Sequence, residues 1–540
     1  MNKYFSKLIL HSLLLSSFSL NAADRDETAS CLCPGCGTVP YPSNTGVETP
    51  RPIINSPQVW SFVSEPNLHP MKIDVNVTSP NIAPGLIFLA PYAFSADAIY
   101  GQSGSLIVDS LGNPVWFRPL SSPNLMNTDF RMQTFKGKPV LTFWQGTLAT
   151  PPVYTNVPAG SSEPGSCYYI LDESYRVIKN VSAQLGYTSD IHEFLLTPYN
   201  TALLLSTKVV PMDLTPYGGP QDGFVQDFAV QEIDLETNEL VFFWDALEHI
   251  PLADSYESAS SGSIWDAYHL NSIGLTDNIN EILVSGRNTW TIYKIDKPTG
   301  NIIWELGGKN SSFTIEPGAA FSWQHDARFL PDNLISLFDD NSDGSSTPGP
   351  SSHGLILQLD LVAMTASVDR TYFHNPNITV SSQGNVQSLP NGNKFIGWGQ
   401  SQYYSEFADA GNTELTPSVN FLYDAIMPGT NYTYRAYKNS WTGRPCSPPK
   451  IGLLFNGCQT TVYASWNGST ETASWQVWAG EKPKKLKLAA SAAKNGFETA
   501  IEVDVPGPYF QVRALDALGQ VIGESKIIKL CSLRGYCSNI

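Results

Sequence analysis

The sequence is poor in charged residues, and most of those present are acidic. Asp, Glu, Lys and Arg make up 15% of its 540 residues and give a formal net charge of −17. Because an acidic surface repels polyanions, nucleic acid is excluded as an expected partner. Long apolar runs are also missing. After the N-terminal segment no stretch approaches the ~18 residues that a spanning helix needs, so we expect no transmembrane segment in the mature chain.

The N-terminal segment itself resembles an export signal. Lys3 and Lys7 precede a mostly apolar stretch, Leu8 to Leu20, and the small residues Ala22 and Ala23 follow. This order is typical of a secretory signal peptide, which we assign to residues 1–23. The sequence therefore predicts a protein that is secreted or that resides in the lumen of the secretory pathway.

Cysteine is uncommon, with eight residues in the chain: Cys31, Cys33, Cys36, Cys167, Cys446, Cys458, Cys531 and Cys537. The CLCPGC segment could bind a metal, but no second Cys/His cluster stands at the spacing of a zinc finger. In an exported chain these cysteines are expected to form disulfides. Cys446–Cys458 and Cys531–Cys537 are candidate local bridges, and the sequence leaves the full connectivity open. Six Asn-x-Ser/Thr sequons predict a glycoprotein, at Asn76, Asn180, Asn310, Asn377, Asn431 and Asn467.

Glycine and proline are plentiful, at 41 and 39 residues, and aromatic residues make up 11% of the chain. This composition favours a turn-rich β protein. A strand that ends in Asp, a turn and a second strand recur six times, at Asp109, Asp172, Asp234, Asp296, Asp360 and Asp409. The intervals are 63, 62, 62, 64 and 49 residues. Six such copies predict an all-β fold with a six-bladed β-propeller over residues 101–445.

Two smaller units flank the predicted propeller. Residues 24–100 begin as a Cys/Pro-rich linker and continue with strands that we expect to pack on the propeller. Residues 446–540 contain about six short strands, which predict a fibronectin-III-like β-sandwich followed by a C-terminal Cys segment.

A second recurrent element, a short segment that ends in Pro and leads into a strand, precedes the Asp-containing element in several repeats. Examples are HEFLLTP, HDARFLP and GNVQSLP. When Pro198, Pro331 and Pro390 are set in register, one equivalent position holds His192, His269, His325 and Gly384 in four successive repeats. Each of these residues is followed by a strand. The inner strands of a propeller border its central channel, so we expect the three histidines to meet at one end of that channel.

These histidines carry the candidate chemistry. Neutral imidazole can act as a nucleophile or a base, and Asp and Glu residues lie near His192, His269 and His325 in sequence. Asn271, Arg328 and Arg287 could donate hydrogen bonds to an anionic oxygen. Alternatively, these side chains only tie the blades together. We expect no cofactor, although a metal at the axial histidines remains an alternative.

Four motifs carry a resemblance to a known family. They are D-x-x-H-x-N-S at 266–272, the I-L-V-S-x-R segment at 282–296, G-N-I-I-W-E-L-G-G at 300–308, and W-Q-H-D leading to L-F-D-D-N. Together they resemble the arylsulfotransferase family, and most closely its eukaryotic, mainly fungal branch. The resemblance implies a six-bladed propeller that transfers a sulfuryl group between phenols through a sulfohistidine. It places His269 and His325 in the catalytic channel. The histidine that the family carries in a later blade has no counterpart here, so the nucleophile is not assigned.

The sequence therefore predicts a secreted, arylsulfotransferase-like enzyme that acts on a phenolic or other aromatic small molecule in the axial pocket. Two alternatives are a biosynthetic cyclase or pericyclase-type enzyme on the same scaffold without sulfuryl transfer, and a non-catalytic propeller that binds glycans or proteins. The oligomeric state is not indicated.

Overall fold

The predicted all-β fold is confirmed. The computed structural model describes residues 53–93, 99–122, 125–148, 165–259, 264–345, 349–456, 459–504 and 507–530. Over these ranges, antiparallel sheets dominate, and helical structure is limited to Ala246–His249 and to 3-10 turns at Thr215–Tyr217, Leu252–Asp254, Pro331–Asn333 and Pro483–Lys485. In the described part of the chain, no helix has the length and apolar character needed to span a membrane.

Six sheets of four or five strands are built from residues 74–439, and we number them in chain order. Sheet 1 contains Tyr437–Asn439, Leu86–Leu89, Gly104–Val108 and Pro114–Pro119. Sheet 2 contains Met126–Phe135, Lys138–Gly146, Cys167–Leu171 and Val177–Val181. Sheet 3 contains Thr188–Leu196, Thr201–Met212, Gly223–Asp234 and Leu240–Asp245, with Ile264–Trp265 added beside its third strand.

Sheets 4 to 6 repeat this pattern. Sheet 4 contains Leu270–Leu275, Glu281–Gly286, Thr291–Asp296 and Ile302–Gly307. Sheet 5 contains His325–Leu330, Leu334–Asp339, His353–Asp360 and Thr365–Phe373, with Thr314–Ile315 at its outer edge. Sheet 6 contains Asn385–Ser388, Lys394–Gly397, Tyr403–Phe407 and Phe421–Ile426, with Asp74–Val77 at its outer edge.

The recurrent Asp residues end strands because their side chains stabilise the turns that follow. The carboxylate of Asp109 accepts hydrogen bonds from the backbone N–H groups of Leu111 and Asn113. Asp172 accepts from the N–H groups of Ser174 and Arg176 in the same way. A short carboxylate that bonds its own backbone a few residues later favours a turn over strand continuation.

The first strands of sheets 2 to 5 contact one another in chain order, and Asn385–Ser388 of sheet 6 follows. Tyr437–Asn439 of sheet 1 contacts both sheet 6 and the first strand of sheet 2. One edge strand from each sheet therefore lies in a closed ring. Apolar side chains fill the space between neighbouring sheets, as where Leu203 and Val230 of sheet 3 share a buried cluster with Ile273 and Val284 of sheet 4.

The N-terminal strands are part of the sheets rather than a separate unit packed on them. Leu86–Leu89 pairs with Tyr437–Asn439, and Asp74–Val77 pairs with Phe421–Ile426. The two ends of this region are thus hydrogen-bonded to each other within sheets 1 and 6. The boundary predicted at residue 101 consequently falls inside sheet 1.

The C-terminal residues form two further sheets. One contains Lys450–Phe455, Thr460–Ser465 and Glu498–Val503, and the other contains Lys487–Ala493, Ser474–Gly480, Tyr509–Leu515 and Val521–Glu524, with Ile528–Lys529 paired to Tyr509–Leu515. They enclose an apolar cluster that includes Val462, Trp475 and Phe510. The Asn467 side chain bonds the backbone N–H and C=O of Phe117, which joins this part of the chain to sheet 1.

Several predicted features lie outside the described residues. They are the signal peptide, Cys31, Cys33, Cys36, Cys458, Cys531 and Cys537. Within the described residues Cys167 is buried and Cys446 is exposed. Among the sequons, Asn431 is fully buried and its Nδ2 donates to the carbonyl of Tyr100. Because a glycan must project into solvent, this burial argues against the predicted glycosylation at Asn431.

Candidate functional site

Three imidazoles from successive sheets converge at the ring of inner strands. His192 lies in the first strand of sheet 3, His269 immediately precedes that of sheet 4, and His325 begins that of sheet 5. One ring nitrogen of each lies within 4.8 Å of those of the other two. The ring centroids of His192 and His269 are 4.9 Å apart. We call these three residues the histidine cluster.

Each histidine of the cluster is held by a carboxylate at its Nδ1 atom. Nδ1 of His192 lies 2.5 Å from Asp190 Oδ1, and Nδ1 of His269 lies 2.5 Å from Asp266 Oδ2. Nδ1 of His325 lies 2.7 Å from Asp340 Oδ2. Asp190 and Asp266 accept from Nδ1–H, which fixes the tautomer that leaves the lone pair of Nε2 available. Burial raises the pKa of Asp340, but Nδ1 of His325 also lies 3.1 Å from the carbonyl of Trp323, which can only accept, and this contact fixes the same tautomer.

The backbone N–H of Gln383 lies 3.2 Å from both ring nitrogens of His325. A group that is equidistant from Nδ1 and Nε2 cannot lie in the ring plane at this range without overlapping Cε1. It therefore lies over the ring face. The in-plane lone pair of His325 Nε2 is not used by this contact.

Irregular backbone at the starts of these strands directs the side chains toward the ring centre. His269 has a φ of 48°, and the pairing register of its strand shifts between Leu270 and Ser272. Asp326 has a φ of 57°, and the register shifts there between His325 and Arg328. Such bulges re-aim side chains and are frequent beside active sites.

The three imidazoles differ in exposure. The side chain of His325 is 0% exposed, that of His192 is 7% exposed and that of His269 is 28% exposed. Burial lowers the pKa of His192, which outweighs the opposing effect of Asp190. Burial, with the charge of Arg287, holds the pKa of His325 well below its usual range. Both rings are therefore neutral at physiological pH, as a nucleophile or metal ligand must be.

Arg287 places a positive charge beside the cluster. Its Nη1 donates to the Asn288 side chain and its Nη2 to the carbonyl of Ser381, while its buried Nε has no hydrogen-bond partner among the described residues. Within the same residues no carboxylate lies in salt-bridge range of Arg287. A guanidinium that is bonded only to neutral groups can still bind an anion.

Arg328 and Asn271, which were also predicted from the sequence to bind substrate, form contacts with other protein groups instead. Nη2 of Arg328 lies 2.6 Å from Glu193 Oε2 and 2.5 Å from Asp326 Oδ1. Asn271 is fully buried and its Nδ2 donates to the carbonyl of Gln324. These two side chains hold neighbouring sheets together, so we leave both out of the proposed substrate site.

Arg328 belongs to a buried ion-pair network that was not predicted from the sequence, which gave no signal for Asp129, Arg131 or Arg435. The network contains Asp129, Arg131, Glu193, Asp326, Arg328 and Arg435. Burial disfavours the charge of Glu193, but three guanidiniums outweigh it and hold the pKa of Glu193 well below its usual range. Each guanidinium of the network already contacts at least two of its carboxyl groups, so none is free to bind a substrate.

Gly384, the fourth equivalent position, cannot carry a side chain. Its φ is 98°, and a Cβ atom there would lie 2.6 Å from the ring of Phe338. A histidine at this position would require the sheet to move. Packing thus excludes a fourth histidine at this equivalent position.

Solved structures similar to this chain are distant from it. The extracellular domain of a proposed one component system from B. thetaiotaomicron is 10% identical, with 86% of this chain and 58% of that chain covered and a TM-score of 0.30. This chain therefore spans less than two thirds of that structure. Kluyveromyces lactis Hsv2 is 9% identical, with 64% and 95% covered and a TM-score of 0.28. The β-propeller domain of Cps50 (Swd1) from Myceliophthora thermophila is 12% identical, with 61% and 93% covered and a TM-score of 0.29. These likenesses are too weak to indicate a function.

No curated protein matches this chain significantly. In contrast, the sequence model of the family described as Arylsulfotransferase (ASST) matches residues 131–420, more than half of the chain. The matched range runs from sheet 2 to sheet 6 and includes all three histidines of the cluster. The chain belongs to the arylsulfotransferase family.

Proposed function

We propose that this protein transfers a sulfuryl group from an aryl sulfate to a phenolic acceptor at the histidine cluster. The observation that carries the proposal is the convergence of three imidazoles, each fixed at Nδ1 by a carboxylate, beside a cation that has no carboxylate partner among the described residues. Sulfuryl transfer through histidine needs a neutral imidazole with a free Nε2 and a positive charge near the sulfuryl oxygens. Membership of the family supports the same reaction.

We assign the nucleophile to His269. Its side chain is 28% exposed, so a substrate can reach it, whereas His192 and His325 are almost fully enclosed. In the first step Nε2 of His269 attacks sulfur, the bond between sulfur and the aryl oxygen breaks, and the phenolate leaves. In the second step the acceptor oxygen attacks sulfur and the N–S bond breaks. The proton of the acceptor passes to His192, whose ring lies next to that of His269.

Arg287 provides the positive charge that the reaction needs. The Arg287 guanidinium would pair with the sulfuryl oxygens, which carry the negative charge through both steps. Aromatic residues border the histidine cluster: the ring centroid of Phe228 lies 6.1 Å from that of His269, and that of Tyr434 lies 5.5 Å from that of His192. Both rings are buried and support the imidazoles, so the choice of an aromatic substrate rests on membership of the family.

The arrangement of the six sheets supports a further proposal about the architecture around the site. We infer that the six sheets are the blades of a six-bladed β-propeller and that the ring of inner strands surrounds its axial pocket. Four or five strands per sheet and the pairing of both ends of the region within sheets 1 and 6 support this inference. The two C-terminal sheets support a fibronectin-III-like sandwich. We also retain the proposal of a secreted glycoprotein.

A second function has one observation in its favour. Packing excludes a histidine at Gly384, so this chain lacks a group that the family resemblance would place there. The remaining imidazoles and Arg287 could polarise a phenol or carbonyl for a cyclisation without sulfuryl transfer. That alternative predicts a bound aromatic ligand and no release of phenol from aryl sulfates.

The test is turnover of p-nitrophenyl sulfate with a phenol as acceptor, followed by release of nitrophenol. The proposal predicts release by the parent protein and loss of release in His269→Ala. His249→Ala is the matched control, because His249 lies at the C-terminal end of the Ala246–His249 helix and bonds the backbone of Asp245. Absence of release across a panel of aryl sulfates by a folded parent protein would reject sulfuryl transfer.

A further inference from the structure

We infer that the histidine cluster is also a binding site for a divalent transition metal of the Zn²⁺ class, held by His192, His269 and His325. The inference concerns the same three side chains as the proposed transfer reaction but does not depend on that reaction. It rests on the donor set, on the orientation of the rings and on what surrounds them.

The donor set is one that zinc and cobalt prefer. Imidazole nitrogen suits Zn²⁺ and neighbouring first-row metals, and three histidines with an open fourth position are a known arrangement for such ions. One nitrogen from each ring of the cluster lies within 4.8 Å of the others. The three residues come from different sheets, so the sheets set this geometry and not the local sequence.

The orientation of the rings is that of metal-binding histidines. In metal sites a ligating histidine commonly donates its second ring N–H to a carboxylate, which fixes the ring and increases its basicity. Here all three rings have that partner, in Asp190, Asp266 and Asp340. Three separate Nδ1–carboxyl pairs thus surround one point.

The spacing requires a small contraction on binding. With Zn–N bonds of about 2.0–2.1 Å, tetrahedral ligand atoms are roughly 3.3 Å apart, which is shorter than the 4.8 Å limit seen here. His269 can supply the movement, because it is the most exposed of the three and precedes the regular part of its strand. The more buried rings of His192 and His325 would move less.

Metal binding and sulfuryl transfer compete in this structure. A metal coordinated by the three rings occupies the lone pair of His269 Nε2, which is the atom proposed to attack sulfur. Zn²⁺ should therefore inhibit sulfuryl transfer by a protein in which both properties are present. Binding is nevertheless measurable without any substrate, so failure of one property is distinguishable from failure of the other.

The experiment is titration of the purified, chelator-treated full chain with Co²⁺, followed by visible absorption. We expect one equivalent to give the d–d bands of a low-coordinate site with nitrogen ligands, and Zn²⁺ to displace it. His269→Ala should lose the spectrum. Asp266→Asn should keep the spectrum with affinity about 10- to 100-fold weaker, because the carboxylate that accepts from Nδ1–H of His269 is lost and the metal must displace a proton from Nε2.

Controls distinguish metal bound at the histidine cluster from metal bound by other residues. His249→Ala should bind Co²⁺ like the parent protein. Coordination by cysteines, such as those at residues 31–36, would add a thiolate charge-transfer band in the near ultraviolet, which imidazole ligands do not give. Thermal unfolding of every variant with and without Zn²⁺ checks that each protein is folded. Metal bound at the histidine cluster should raise the unfolding midpoint of the parent protein more than that of His269→Ala. A folded parent without d–d bands, a thiolate spectrum alone, or an unchanged spectrum in His269→Ala would overturn the inference.

Discussion

Nη2 of Arg328 in sheet 5 lies 2.6 Å from Oε2 of Glu193 in sheet 3, with sheet 4 between them in the chain. Glu193 also accepts from Arg131 and lies 3.2 Å from Nη1 of Arg435. One fully buried carboxylate thus contacts three guanidiniums from different parts of the ring, and Asp129 and Asp326 contact the same guanidiniums. Removal of Glu193 would leave three buried guanidiniums with two carboxyl groups, and such an uncompensated charge is costly.

We therefore predict that Glu193→Ala lowers the free energy of unfolding by about 3–5 kcal/mol. Chemical denaturation with spectroscopic detection measures this loss. Glu236→Ala is the control, because the Lys136–Glu236 pair is exposed and its removal should cost less than about 1 kcal/mol. Equal losses in the two variants would show that the network does not stabilise the ring.

Asp266→Asn should reduce sulfuryl transfer by about 10²–10⁴-fold while the fold is kept. An asparagine amide can donate to Nδ1 of His269, which moves the imidazole proton to Nε2 and removes the attacking lone pair. The measurement is kcat/KM for an aryl sulfate. Asp277→Asn changes an exposed carboxylate in the same way and should have no effect. Full activity in Asp266→Asn would contradict the assignment of His269, oriented by Asp266, as the nucleophile.

Arg287→Met should lower kcat/KM for aryl sulfates by about 10- to 100-fold, the loss of one charge-assisted hydrogen bond to the sulfuryl group. Arg287→Lys should recover part of the activity, since it restores the charge without the planar guanidinium. Arg444→Met removes a guanidinium that is 62% exposed and should leave the kinetics unchanged. If Arg287→Met and Arg444→Met behave alike, Arg287 does not contact the anion.

The stability of the protein should depend on pH through His192. Burial lowers the pKa of His192 in the folded chain, whereas the unfolded chain has the ordinary value of about 6.5. As the pH falls below about 6.5, the unfolded state therefore gains a proton that the folded state resists, and stability decreases. His192→Gln cannot titrate, so its unfolding free energy should fall less between about pH 7 and pH 5. Groups that titrate in both proteins, such as Asp227, cancel in this comparison. Parallel curves for parent and variant would contradict it.

The parts of the fold that were predictable from sequence depend on local interactions. Asp109 and Asp172 mark strand ends because each bonds the turn that follows it, so the repeat is legible in the sequence. His192, His269 and His325 could be placed together because they occupy equivalent positions in that repeat. Asp190 and Asp266 could be found beside two of them because they lie two and three residues away in the chain.

The ion-pair network was not predictable because its partners are far apart in the chain. Arg435 contacts Glu193 across 242 residues, and Arg328 contacts it across 135. Arg287 and Arg328 look alike in sequence, since each lies in or beside an apolar strand near a histidine. Only the fold shows that Arg328 is neutralised by carboxylates and that Arg287 is bonded to neutral groups.

The most direct test of the proposed reaction is detection of the sulfuryl group on the enzyme. The protein is mixed with an aryl sulfate in the absence of acceptor, quenched, digested under alkaline conditions that preserve N-sulfohistidine, and analysed by mass spectrometry. We predict one sulfuryl adduct, located on His269, that disappears when a phenol is added before the quench. Turnover by His269→Ala at the parent rate, or an adduct on a different residue, would contradict the account.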